Sequence, residues 1–288
     1  MKSISRIPLI AILAISFACA AAQTAANQNA SQPDHLTRSF VVNTGSTLSV
    51  QNYKGTIHVT GGSGNQVSVT VEKKFEGSES DRKWWMDKVH VNFENDPSRV
   101  RVAVDYPNNS CMFWCDEQHS DYTAWVELTI QVPQKTNLDI EGYKPEIRLA
   151  SVEGDIRVKS YKAPIEIAST TGPINISTYK ESVRLRDVTV RGDLRLKMYK
   201  GEAEVVAKNL GQDAEIEIEK GSAVVRVPRN AGLTVDYSGG RRSSFHTDLP
   251  LATETGFHSG DIRGSINGGG THLRLRTERG SFSIEAAQ

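Results

Sequence analysis

The sequence is short of cysteine, proline and aromatic rings, and it has no excess of charge of either sign. Three cysteines in 288 residues are too few for a disulfide-dense scaffold. Ten prolines beside 23 glycines fit neither a collagen-like repeat nor a low-complexity linker. Lys plus Arg and Asp plus Glu both total 34, which excludes a bulk field that would draw in nucleic acid or an acidic membrane, although not a local stripe. Hydrophobic residues make up 38% and aromatics 7%, an apolar share below the globular average that suits thin β layers better than a deep helical core. Catalytic signatures are missing too: there is no Gly-x-Ser-x-Gly, no His-Glu-x-x-His and no phosphate-binding glycine loop. The seven histidines (35, 58, 90, 119, 246, 258, 272) are scattered. No catalytic residue and no cofactor is expected.

The N-terminal segment reads as an address. Lys2 and Arg6 flank the start of an apolar run, Ile7 to Ala18, and Ala20-Ala21-Ala22 offers small residues for cleavage before Gln23. This is the pattern of a signal peptide over residues 1–22. The run is too short for a mature transmembrane helix, which needs about 20 apolar residues. An alternative takes Ser16-Phe17-Ala18-Cys19 as a lipobox, with Ser16 where an aliphatic residue is usual; only then, through lipidated Cys19, would the protein be membrane-attached. Either way the mature chain is expected outside the cytoplasm, in the periplasm, on the cell surface or secreted. Residues 23–38 are small and polar and read as a flexible spacer.

From Ser39 onward the hydrophobic period is two. Phe40-Val41-Val42, Leu48-Ser49-Val50, Thr56 to Val59 and Val67 to Val71 read as short strands, followed by longer ones at Lys88–Phe93, Arg99–Tyr106 and Tyr122–Val132. The one helix candidate is Ser80–Lys88. The middle of the chain then repeats. Aliphatic pairs recur every nine residues as Ile147/Leu149, Ile156/Val158, Ile165/Ile167, Ile174/Ile176 and Val183/Leu185, and continue with small insertions through Leu194/Leu196, Ala203/Val205, Ile216/Ile218 and Val225/Val227. A second marker doubles the period: Tyr143-Lys144, Tyr161-Lys162, Tyr179-Lys180 and Tyr199-Lys200, with Glu153-Gly154, Thr171-Gly172 and Arg191-Gly192 between them. The spacing predicts an all-β fold, a β-solenoid of coils about 18 residues long preceded by longer N-terminal strands. Residues 39–285 are expected to form one such domain. If the coils stack in register, Arg148, Glu166, Arg184 and Glu204 form a column of alternating sign at about 4.8 Å, so these carboxylates read as structural.

Several segments carry a family likeness. Gly154-Asp155-Ile156-Arg157-Val158, the run Phe245-His246-Thr247-Asp248-Leu249-Pro250-Leu251, and the ending Ile266-Asn267-Gly268-Gly269-Gly270 with Leu273 to Thr277 and Gly280 to Ile284 resemble the bacterial adhesin-like β-strand-repeat family, whose function is unknown. The resemblance covers about Ser39 to Glu285. It implies an envelope protein with a β-solenoid and no established enzyme activity. The chain departs from the family by placing Tyr-Lys where Ser-Gly or Thr-Gly corners are usual.

Two features could carry chemistry. The loop over residues 107–121 holds Cys111 and Cys115, which in an exported protein most simply form a disulfide; Cys111, Cys115 and His119 as part of a metal site is the alternative, with a spacing that matches no strong zinc pattern. Met112, Phe113 and Trp114 inside that ring either present a sticky tip or cap the end of the stack, and Trp84-Trp85-Met86 could cap from the helix. The second feature is the row Tyr143, Lys144, Tyr161, Lys162, Tyr179, Lys180, Tyr199 and Lys200. Either the tyrosines pack the corner and the lysines solvate it, or the row is a stripe for an extended anionic polymer such as an acidic envelope polysaccharide. The expectation is an exported, non-enzymatic, adhesin-like binding or structural protein whose partner is such a glycan or another surface protein. The runner-up is a polysaccharide lyase or hydrolase on the same solenoid, which would need a cluster of Asp, Lys and Arg on one face.

Overall fold

The computed structural model describes residues 33–107, 123–254 and 260–287. The leader, Cys19 and the pair Cys111 and Cys115 lie outside the described residues. Alternation of aliphatic and polar side chains along the backbone gives sixteen strands and one short helix among the described residues, joined into one large mixed sheet system.

Its centre is parallel and in register. Strands β7 (Asn137–Ala150), β8 (Ile156–Lys162) with β9 (Ile165–Ala168), β10 (Ile174–Thr189), β11 (Asp193–Asn209) and β12 (Asp213–Val227) follow one another. Leu138 pairs with Ile156, Ile156 with Ile174, Ile174 with Leu194 and Leu194 with Ala214. After a corner the same strands pair again, Ile147 with Ile165, Ile165 with Val183, Val183 with Ala203 and Ala203 with Ala223. A third, shorter contact is a single bridge per coil, Lys135 to Glu153 to Thr171 to Thr189. The inward residues beside these pairings are buried, Val152, Thr170 and Val190 included. No single strand could bury enough apolar surface alone, so each coil depends on its neighbours.

Stacking order differs from chain order at both ends. The expectation placed the early strands ahead of the repeat, but β2 (Thr47–Gly62) pairs with β7 along nearly its whole length, Leu48 with Leu138 and Ile57 with Ile147. It is the first coil. On its other edge the two halves of β2 part company: Thr47–Gln51 pairs with β5 (Arg99–Asp105), which carries β4 (His90–Asp96), while Gly55–Gly62 pairs with β6 (Thr123–Pro133), then β3 (Gln66–Glu76) and β1 (His35–Val41). At the far end β16 (Thr271–Ala286) inserts between β12 and β13 (Leu233–Thr247), parallel to both. The first half of β13 then pairs antiparallel with β15 (Asp261–Ile266), which carries β14 (Leu251–Thr253). Asn267 to Gly270, all at positive φ, form the turn from β15 into β16, and Asn267 Nδ2 donates to the carbonyls of Arg229 and Ala231.

The helix α1 (Glu79–Lys88) closes the split at the first coil. Ser78 caps it by accepting from the Asp81 amide at 3.2 Å, with acids in the first turn and Lys88 in the last. At its C-terminal end Lys73 Nζ donates to the Val89 carbonyl at 2.7 Å and to Met86 O at 3.4 Å. Burial pushes the Lys73 ammonium pKa down, and the orphan carbonyls keep the group satisfied. Trp85 is 2% exposed and Met86 is buried; Trp85 lies 6.3 Å from both Phe75 and Tyr106. Trp85→Ala is expected to cost about 3–5 kcal/mol, read as a lowered urea midpoint, because nothing else fills that space.

Candidate functional site

The corner of the stack is where the two outward residues of each coil meet. The residues before Tyr53, Tyr179 and Tyr199, namely Asn52, Thr178 and Met198, are buried, and Gly142 and Ser160, before Tyr143 and Tyr161, are half-buried. Backbone pairing then skips the tyrosine and resumes at the lysine, Thr178 to Lys180 in one strand and Met198 to Lys200 in the next. Strict alternation would hide one member of each pair. The corner instead turns both outward, with Tyr53 and Tyr179 exposed and Tyr143, Tyr161 and Tyr199 half-buried.

The rings stack. Tyr53, Tyr143, Tyr161, Tyr179 and Tyr199 form one column with centroid spacings of 4.8, 4.8, 4.8 and 4.7 Å and interplanar angles of at most 10°. Tyr53 was not in the sequence-based row. Its coil repeats the pattern, Tyr53-Lys54-Gly55 against Tyr199-Lys200-Gly201, but it lies far up the chain because residues 63–136 intervene. Beyond Tyr53 the column bends into the cap: Tyr106 sits 5.9 Å from it, and its hydroxyl donates to Asn52 Oδ1 and the Lys54 carbonyl at 2.7 and 2.8 Å. Burial raises the Tyr106 phenol pKa well above its ordinary value, so it stays a donor.

Beside the rings runs a longer column of cations. Lys54 is in register with Lys144, Lys162 with Lys180, Lys180 with Lys200, Lys200 with Lys220, Lys220 with Arg279 and Arg279 with Arg242; Lys144 and Lys162 each follow one of two stacked tyrosines. Lys144, Lys162 and Lys220 lie 5.4, 5.1 and 4.5 Å from the centroids of Tyr143, Tyr161 and Tyr199. Lys220 Nζ also donates to the Tyr199 hydroxyl at 2.5 Å, and that bond, against some burial, holds its pKa above the usual lysine value.

Ion pairing separates this column from the others. On neighbouring outward columns most cations have acids, Arg195 with Asp193, Arg186 with Glu166, Lys197 with Glu217, Arg274 with Asp213, Arg226 with Glu204 and Glu285, while Lys159, Arg184 and Arg276 form none among the described residues. Arg148, Glu166, Arg184 and Glu204 do stand in register. Arg148, Glu166 and Glu204, however, pair along the strand or diagonally, with Glu146, Arg186 and Arg226. On the corner, only Lys220 reaches an acid, Glu219 at 3.8 Å; among the described residues, Lys54, Lys144, Lys162, Lys180 and Lys200 form no ion pair. Two unit charges 4 Å apart in water cost about 1 kcal/mol, and salt screens them within about 8–10 Å. The row is tolerated but not self-stabilising.

A groove of about 440 Å³ lies against the first three rings, lined by Gln51, Asn52, Tyr53, Tyr143, Lys159 and Tyr161 among others, with Glu141 as its one carboxylate. Glu141 stands in register with Lys159. No group of three or more His, Cys, Asp or Glu side chains that could hold a metal occurs among the described residues. His58 is exposed and His90 half-buried, both within strands. Asp248 Oδ1 accepts from the Ala286 amide.

No protein-family model matches the chain, and no curated protein does. Solved structures do match. The chain is similar to adhesin-like proteins. A candidate cell adhesion protein of Clostridium sporogenes is 12% identical with a TM-score of 0.33, the match covering 88% of this chain and 100% of that one. A candidate adhesin of Bacteroides fragilis is 8% identical at a TM-score of 0.38, covering 89% and 99%. A candidate lipid-binding protein of Parabacteroides distasonis is 13% identical at 0.30, covering 88% and 97%. At such scores the likeness bears on neither ligand nor activity, which have to be read from this chain's own residues.

Proposed function

We propose that this is an exported, non-enzymatic, adhesin-like binding or structural protein of the cell envelope, and that its ligand is an extended anionic polymer laid along the tyrosine-lysine corner. The parallel, in-register pairing of successive 18- and 20-residue coils supports reading the stack as a β-solenoid, an architecture that offers long, straight, repetitive surfaces. One observation carries the functional reading: most cations on the neighbouring outward columns are paired with acids, yet the corner gathers six lysines and two arginines in one row with a single acid in reach among the described residues. Such a row gains stability only when an outside polyanion supplies the missing charge.

The test removes charge without touching the core. Lys144→Gln, Lys162→Gln, Lys180→Gln and Lys200→Gln combined should abolish salt-sensitive binding to dextran sulfate while the melting temperature stays nearly unchanged. Unaltered binding would rule the row out as a ligand site. A collapse of the melting temperature would assign these lysines to structure.

A further inference from the structure

The ring stack narrows the class of polymer, and this step rests on the reading just given. A sugar-binding aromatic normally offers its face. Here neighbouring rings are 4.7–4.8 Å apart and nearly parallel, so the faces of Tyr143, Tyr161 and Tyr179 are covered by one another. What remains outward is the ring edge and the hydroxyl. The hydroxyls of Tyr143, Tyr161 and Tyr179 make no hydrogen bond within the described residues, whereas that of Tyr199 accepts from Lys220. Each of these three coils therefore offers one phenolic donor and one ammonium on adjacent residues, and the next coil repeats the pair one strand spacing away. A carboxylate has two oxygens and is an acceptor only, and charge-assisted bonds to it are the strong kind. One carboxylate per coil satisfies both donors.

We propose that the corner binds a linear polyuronate, a glycan with a carboxylate on every sugar, lying lengthwise along the stack and across the strands. The rise per sugar of an extended 1,4-linked chain is of the same order as one strand spacing, about 4.8 Å, so a chain laid along the stack keeps pace with the coils, and the long, rotatable lysine side chains reach carboxylates that turn from one side of the chain to the other. The groove beside Tyr53, Tyr143 and Tyr161 gives the sugar rings room and faces them with the exposed amide of Gln51. A neutral glycan lacks the acceptors. A glycan with a carboxylate on every second sugar leaves alternate coils unneutralised, and polyphosphate crowds its charges more closely than the coils can follow.

Calorimetric titration with oligogalacturonates of increasing length, at fixed salt, tests the match. Affinity should rise with each added sugar until the chain spans the ladder and then level off. The fully methyl-esterified oligomer should not bind, and polyphosphate should bind more weakly than the uronate of equal charge. Tyr161→Phe, which keeps the stacked ring and removes only the hydroxyl, should weaken binding several-fold at unchanged melting temperature, and Tyr179→Phe should do the same. Equal binding of the esterified oligomer, or affinity that ignores length, would overturn the proposal. Dextran sulfate or polyphosphate binding as tightly as the uronate would overturn the carboxylate register while leaving the anionic-polymer reading intact. Failure of every polyanion would overturn both.

Discussion

Deleting residues 271–288 is expected to unfold the protein rather than fray its end. β16 lies inside the stack with β12 on one side and β13 on the other, paired to both along most of its length. Its inward side chains Leu273, Leu275, Phe282 and Ile284 are at most 1% exposed. Phe282 fills the space left by the small Ala223 opposite it and lies 6.1 Å from Tyr237. Burying a large apolar side chain is worth about 1.5–3 kcal/mol, so four of them are of the order of a domain's whole stability, about 5–15 kcal/mol. Removal would also leave two long parallel edges open to aggregation. Deleting residues 33–41 is the control: β1 pairs with β3 alone, its residues are mostly exposed, and its loss should lower the melting temperature only slightly. Circular dichroism on both truncations separates the outcomes.

Gly221→Val should weaken the same stack without abolishing it. Gly221 follows Lys220 at the corner with φ of +148° and stands in register with Gly201 and Gly280. A Cβ there would come within 1.8 Å of the Gly201 carbonyl oxygen, closer than any real contact, and that oxygen belongs to backbone that cannot move aside without breaking the ladder. Strain in the backbone alone costs about 1–3 kcal/mol, and the displaced coil adds to it. A total near 3 kcal/mol lowers the melting temperature by about 6–12 °C in a domain of this size. Gly62→Ala, at a glycine with open space around its Cβ position and no positive φ, should leave it almost unchanged.

Register was legible in the sequence because period two and period eighteen coincide over residues 138–209. Once Ile147, Ile156, Ile165 and Ile174 all point inward, a slip by one residue would turn every aliphatic outward, so Tyr143, Tyr161 and Tyr179 had little freedom but to stack. The ends were harder to read. Tyr53-Lys54-Gly55 repeats the corner pattern but is cut off from it by the cap strands, and periodicity finds neighbours in sequence, not coils separated by an insertion. At the other end Arg279-Gly280-Ser281 repeats Lys220-Gly221-Ser222 with arginine in place of lysine. Even so, chain order places β13 next to β12. The structure reverses this because β16 presents four buried side chains and a continuous ladder, while β13 has a register shift between Gly239 and Arg242 and half of its outer edge is taken by the antiparallel β15. That competition is tertiary and leaves no local mark. The groove was equally hidden, since Gln51, Asn52, Glu141 and Lys159 converge only after stacking.

The most direct measurement is acetylation footprinting of the lysines, with and without an extended polyanion, read by mass spectrometry. A ligand lying along the corner predicts protection of Lys54, Lys144, Lys162, Lys180, Lys200 and Lys220 together, while the exposed Lys83, Lys88, Lys135 and Lys208 react at the same rate in both samples. Uniform protection of all ten, or protection confined to the second group, would contradict it.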